Sequence, residues 1–166
     1  MEIYKFGSEI LRAETRGIEK ITDEIRDLLD DMIETMILAP GIGLAAPQVG
    51  RDLRMFVMNT EENQFDKIIN PKIIESSGVS TFNEGCLSFP ELFADVARPD
   101  WIKVSYLNED GEEIEVERDG LWARCFQHEL DHLDGRLLVD HLTQKQLRKM
   151  REELNQIEEL GLQQNK

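Results

Sequence analysis

Cysteine is scarce in this chain: two thiols, Cys86 and Cys125, in 166 residues. One pair cannot build a disulfide scaffold, and a chain this long needs none, since it buries roughly 68–70% of its unfolded surface. No apolar run approaches the ~20 residues of a membrane span. The opening stretch, MEIYKFGSEILRAETRG, lacks the apolar core and small-residue cleavage site of an export signal, so a cytoplasmic location is expected. Basic residues are outnumbered, 19 against 34 acidic, and the formal net charge is −15. Such a surface repels phosphate backbones and anionic lipid, which argues against direct nucleic-acid or membrane binding. Repeats, low-complexity tracts and Pro/Gly/Ser linkers are also missing. One domain over residues 1–166 is therefore expected.

The hydrophobic residues that are present fall into periodic runs. Ile25, Leu28, Leu29, Met32, Ile33, Met36 and Ile37 make one helical stripe. Thr22 is placed to cap it, Asp23 and Glu24 suit its first turn, and Pro40-Gly41 should end it. Leu53–Met58, Lys67–Asn70 and Lys72–Glu75 read as strands. WIKVSYLNEDGEEIEVE reads as a hairpin turning at Asp110-Gly111, with Ile102, Val104 and Tyr106 alternating on one arm and Ile114 and Val116 on the other. Leu121 to Leu133 is a helix with Trp122, Phe126, Leu130 and Leu133 on a core face and Cys125, His128 and His132 on another. A C-terminal helix over 143–166 opens with a Thr143–Gln146 capping box and carries Leu147, Met150, Leu154 and Ile157 along one stripe. Helices and antiparallel strands mix without βαβ alternation. The fold class is α+β, with antiparallel strands around a central metal-binding helix.

That central helix contains QHELDHLDG, residues 127–135, and so two of the three histidines in the chain. Residues four apart on a helix stand one above the other, so His128 and His132 can converge on one ion, with Glu129 beside them to handle a proton of water. A third protein ligand is still required. The metzincin extension fails, because position 138 holds Leu138 instead of histidine. His141 is out of pattern and reads as a solvated or capping residue. Cys125 shares the helix face, but Cys125 and His132 are separated by about 10.5 Å of rise along a straight helix, too far for a common ion at bonds of about 2.0–2.3 Å. Cys125 reads instead as a small apolar wall. Cys86, in NEGCLSFP at a strand end, can approach from outside the helix. Cys86, His128 and His132 leave one tetrahedral corner for water, the mark of a catalytic site.

Three motifs now stand in order: GIGLAAPQ at 41–48, EGCLS at 84–88 and QHELDHLDG at 127–135. Together they resemble the three signature motifs of bacterial peptide deformylases, a likeness running from Leu11-Arg12 to about Leu142. The resemblance implies an enzyme that removes the formyl group from N-formyl-methionyl nascent peptides. It implies Cys86, His128 and His132 as metal ligands and Glu129 as the catalytic carboxylate, with Gln48 and the Leu87 N–H binding the substrate oxygen. It also implies ferrous iron, Fe(2+), as the metal, with Zn(2+), Ni(2+) or Co(2+) able to replace it.

Gly41 and Gly43 lack Cβ atoms, so a substrate strand can lie against them. Ile42, Leu121, Cys125 and His128 are expected to line the methionine pocket, while Glu84 and Gln127 are expected to orient or hydrogen-bond the ligands. Arg124 stands where an aliphatic residue is common in the family, and its charge is expected to reach solvent. The run Phe89-Pro90-Glu91-Leu92-Phe93 also departs from better-known members. Lys145, Arg148, Lys149 and Arg151 of the last helix allow a weak association with the ribosome. Two other readings compete: a general H-E-x-x-H metalloprotease whose third ligand is not Cys86, and a non-catalytic binding module whose metal is closed by Asp131 or Cys125.

Overall fold

The computed structural model describes residues 1–166. Helix α1, Asp23–Leu38, begins where Thr22 accepts a hydrogen bond from the Ile25 N–H at 3.3 Å. It stops just before Pro40, where the Gly41 N–H returns to the Met36 carbonyl at 2.8 Å. Leu28, Leu29, Met32 and Met36 are buried, but Ile37 falls off the stripe and is half exposed.

Seven strands follow: β1 Gly43–Ala45, β2 Met55–Glu61, β3 Gln64–Ser77, β4 Ser80–Cys86, β5 Phe89–Arg98, β6 Trp101–Leu107 and β7 Glu113–Asp119. Five form one antiparallel sheet in the order β1-β2-β3-β6-β7; β4 and β5 form a separate hairpin. The expected β6–β7 hairpin forms, with Val104 opposite Val116. The two short runs expected at 67–70 and 72–75 are one strand. Asn70 (φ 50°) absorbs the irregularity ahead of Pro71, and its side-chain amide exchanges hydrogen bonds of 2.9 and 2.8 Å with the Ile18 backbone.

Helix α2, Gly120–Leu133, lies across one face of the five-stranded sheet and α1 across the other. Strand β2 shows the division by its alternation: Met55 and Val57 pack with α1, Phe56 and Met58 with α2. On α2, Trp122 stacks on Phe126 at 5.2 Å between ring centres, and Phe126 meets Phe56 edge-on at 5.2 Å. The expected α+β arrangement around a central helix is what forms.

The C-terminal segment is two helices, α3 Gln144–Lys149 and α4 Arg151–Gln163, broken at Met150. The Thr143–Gln146 capping box is present, with bonds of 2.8 and 3.1 Å. Leu154 and Ile157 of α4 join Leu11, Phe89, Leu92 and Val96 in a third core cluster, so this segment covers the β4–β5 hairpin. Gly161 lets α4 touch the N-terminal backbone: a Cβ there would lie 2.0 Å from the Phe6 carbonyl oxygen. Gly161→Val is expected to push α4 off that backbone, costing about 1–3 kcal/mol as overpacking does. Faster amide exchange over 151–163 and a lower urea midpoint are the measurements; an unchanged exchange pattern would refute the contact.

Candidate metal centre

The ligand atoms of Cys86, His128 and His132 all lie within 4.8 Å of one another. The imidazoles come from adjacent turns of α2, their ring centres 5.3 Å apart. Cys86 ends β4, as a thiol arriving from a strand end should, and its Sγ stands 3.3 Å from His132 Nε2. The two thiols differ sharply. Burial works against ionisation of Cys86, but His132 and His128 beside it draw its pKa down to about 5. Burial pushes the Cys125 thiol well up, and Glu129 and Glu84 add to that; its S–H donates to the Ile42 carbonyl at 3.5 Å. Cys125 stands outside the ligand group and lines the cavity beside it.

The donor set fits a divalent cation. A thiolate and two imidazoles suit iron and zinc alike. The outer nitrogen of His128, Nδ1, donates to Glu84 at 3.0 Å, which leaves Nε2 with its lone pair for a metal. Glu129 is buried beside the two ligands, and its Oε2 has no partner. Burial pushes the Glu129 carboxyl up to about 7, against the pull of His128 and His132. A low-pKa thiol beside two imidazoles and a buried carboxyl with an unpartnered oxygen suit a positive charge among them.

A cavity of about 680 Å³ opens onto these groups. Every site residue named from the sequence lines it except His132, buried behind, and Gln127. The Gln127 amide donates to the Pro99 and Ala123 carbonyls at 2.9 and 3.0 Å, so it pins α2 to the turn after β5 and bonds no ligand. Gln48 is held in a 3₁₀ turn: its Oε1 accepts from the Ala45 N–H at 2.9 Å, and its Nε2 donates to Ser88 Oγ at 3.1 Å and faces Cys86 Sγ at 3.7 Å. The Leu87 N–H has no partner within the chain. Gly41 and Gly43 are closely approached by side chains of this chain. A Cβ on Gly43 would lie 2.5 Å from Glu129 Oε1 and 2.9 Å from Cys125 Sγ, and one on Gly41 would lie 2.8 Å from Leu87 Cδ1. Ile42 and Leu121, each about half exposed, stand at the mouth.

Three readings of charged residues change. Arg124 does not reach solvent; it is 7% exposed and donates to Glu84 Oε2, to the Val96 carbonyl at 3.0 Å and to Ser80 at 2.7 and 2.9 Å. His141 is half-buried and lies 2.7 Å from Asp131 Oδ2. Asp131 also accepts from Arg98 at 2.9 Å and is therefore turned away from the ligand group. With Asp131 and Cys125 both engaged elsewhere, no fourth protein ligand closes the centre.

Arg98 was missed from the sequence. It is buried and grips Glu84 with two bonds, at 2.7 and 2.9 Å. The signal was available: Ala94, Val96 and Arg98 alternate toward the interior of β5, and an arginine in a buried register needs a carboxylate.

Three convergent donors, a buried carboxylate and an adjoining cavity define a metal-dependent hydrolase of the H-E-x-x-H type. Comparison with known proteins narrows the class. Residues 1–148 match the family model described as polypeptide deformylase. The peptide deformylase of Tolumonas auensis is 45% identical over 159 residues, 95% of each chain. Peptide deformylase 1 of Clostridium acetobutylicum is 48% identical over 144 residues, 87% of this chain and 95% of that one. The crystal structure of the peptide deformylase from Thermus thermophilus superposes with a TM-score of 0.89 at 38% identity, covering 95% of this chain and 96% of that one. The chain belongs to the polypeptide deformylase family, an enzyme family that depends on a metal.

Burial alone would raise the pKa of Glu84; His128 and Arg98 together hold it far below the usual carboxylate range. A depressed pKa stabilises the fold above the ordinary value of roughly 4.3, and that stability is lost as the pH falls below it. Glu84→Ala leaves Arg124 without a carboxylate and Arg98 with Asp131 alone, both indoors, and is expected to cost about 3–5 kcal/mol near neutrality. Urea unfolding at several pH values should show this penalty shrinking below about pH 4; a penalty independent of pH would contradict the pairing.

Proposed function

We propose that the protein is a cytoplasmic deformylase that removes the formyl group from the N-terminal methionine of newly synthesised chains. The observation that carries the proposal is the meeting of Cys86, from a separate hairpin, with His128 and His132 of α2 in the cavity that also holds Glu129, Gln48 and the free Leu87 N–H. Cys86, His128 and His132 are the groups to hold the metal. Fe(2+) is the metal we assign, with Zn(2+), Ni(2+) or Co(2+) able to occupy the same donors. A divalent metal supplies there a positive charge that acidifies water and polarises a carbonyl.

The remaining chemistry falls to the chain. Glu129, with a raised pKa and an unpartnered oxygen, takes a proton from the attacking water and returns it to the amine that leaves. As the formyl carbon becomes tetrahedral its oxygen gains charge, and two preset donors, Gln48 Nε2 and the Leu87 N–H, stabilise it; losing one such donor typically costs ~10²–10³ in rate. Ile42, Leu121, Cys125 and His128 take the methionine side chain. Gly41 and Gly43 border the free edge of β1, along which the substrate backbone can add as a strand.

Protein loaded with iron without air should release formate and a free amine from formyl-Met-Ala-Ser. Glu129→Ala should abolish turnover and keep the metal, because that residue acts on water; Cys86→Ser should lose both. Retention of metal and activity in Cys86→Ser would instead favour a general protease with another ligand.

The ribosome association we propose for the C-terminal segment rests on Lys145, Arg148, Lys149 and Arg151, which lie outside the buried apolar stripe. Deleting residues 143–166 would strip Leu154 and Ile157 from the core, so replacing the four cations by glutamate is the cleaner experiment. Co-sedimentation with ribosomes should then fall and become less sensitive to salt; no sedimentation of the parent protein would end the proposal.

A further inference from the structure

Phe93 is a large aromatic residue that the fold does not use. It is 59% exposed, belongs to none of the three core clusters, and yet lines the cavity that holds Cys86. Its neighbours on β5, Leu92 and Ala94, are buried, so Phe93 is the side chain that alternation sends outward. Its position is fixed from below. Phe93 pairs with Gly85 on β4, and its ring lies against the bare glycine, where a Cβ would stand 2.6 Å from Phe93 Cε1. Glu91, with φ 61°, introduces the irregularity that lets Phe89 and Leu92 both point inward while Phe93 points out. With Ile42, Phe82 and Leu121, also exposed and lining the same cavity, the ring forms part of an apolar contact surface beside the reactive centre.

The register shows what meets it. Strand β4 is paired only with β5, so its other edge is free and borders the cavity. Glu84 faces α2, whereas Gly85, with Phe93 above it, faces the opposite way. A peptide lying extended along that edge alternates in the same manner. Its methionine points to the α2 side, into the pocket bounded by Leu121, Arg124 and Cys125. The following residue then points to the side of Phe93.

We propose that Phe93 reads the second residue of the substrate and favours an apolar or aromatic side chain there. This inference rests on the deformylase reading above and adds a substrate preference to it.

The test compares formyl-Met-Phe-Ser, formyl-Met-Gly-Ser and formyl-Met-Ala-Phe on the iron-loaded protein and on Phe93→Ala and Phe93→Tyr. The ratio of kcat/KM for formyl-Met-Phe-Ser over formyl-Met-Gly-Ser is expected to be about five- to tenfold in the parent, the size of one aromatic contact. It should fall toward one in Phe93→Ala and return in Phe93→Tyr, carried by KM. A ratio near one in the parent, a ratio unchanged by Phe93→Ala, or a preference only for phenylalanine at the third position overturns the inference while leaving deformylation intact. No formate from any of the three peptides removes the deformylase reading and this inference with it.

Discussion

The meeting of one thiol with two imidazoles depends on a single carboxylate. Glu84 receives Arg98 from its own hairpin and Arg124 and His128 from α2. The hairpin that carries Cys86 is not hydrogen-bonded into the five-stranded sheet, so side chains must join it to the helix that carries His128 and His132. Arg124, Gln127, His128 and Asp131 form an i, i+3, i+4, i+7 stripe, and all four bond partners on the β4–β5 hairpin or at Pro99, just past its end. Helix α2 thus has a third face besides those for core and metal. That face sets the distance between the thiol and the imidazoles.

The parts legible in the sequence are those governed by local period or local chemistry. The stripe Leu28-Leu29-Met32-Met36, the cap at Thr22, the β6–β7 turn and the two stacked histidines each depend on residues within a few positions of one another. Cys86 was also within reach, because a two-histidine site short of a ligand has few thiols to choose from. Less legible were β4 and β5. Strand β4 carries Ser80, Thr81, Phe82 and Asn83 exposed and buries Glu84, so it lacks an apolar alternation to read. The exposed helical residue Ile37 shows the converse error: a stripe read from sequence alone cannot tell which edge of it the neighbouring sheet will leave uncovered.

Arg124 and His141 were misread for a common reason. Both are polar residues whose partners lie outside their own turn of chain, Ser80, Glu84 and Val96 for one and Asp131 for the other, across a turn and a 3₁₀ segment. Polarity alone places such residues in solvent, and only the fold supplies the alternative. Gln127 erred in the other direction. Its position beside His128 invited a role at the metal, but consecutive helical residues point about 100° apart, and the amide serves the Pro99 turn instead.

Stability does not explain why charges are buried here. Replacing a buried ion pair by packed apolar side chains is often neutral or favourable, so Glu84 with its two arginines is a poor way to hold two elements together. What apolar contacts cannot do is choose a tautomer. A carboxylate fixed at His128 Nδ1 demands a proton there and leaves the Nε2 lone pair on the side of Cys86 and His132. A carboxylate alone in that position would be drawn toward protonation by its own burial. His128 itself and Arg98, from the hairpin, together keep Glu84 ionised, and Arg124, from the helix, meets the same carboxylate. The arginines therefore serve the metal centre through the carboxylate, and the joining of hairpin to helix comes with the same bonds.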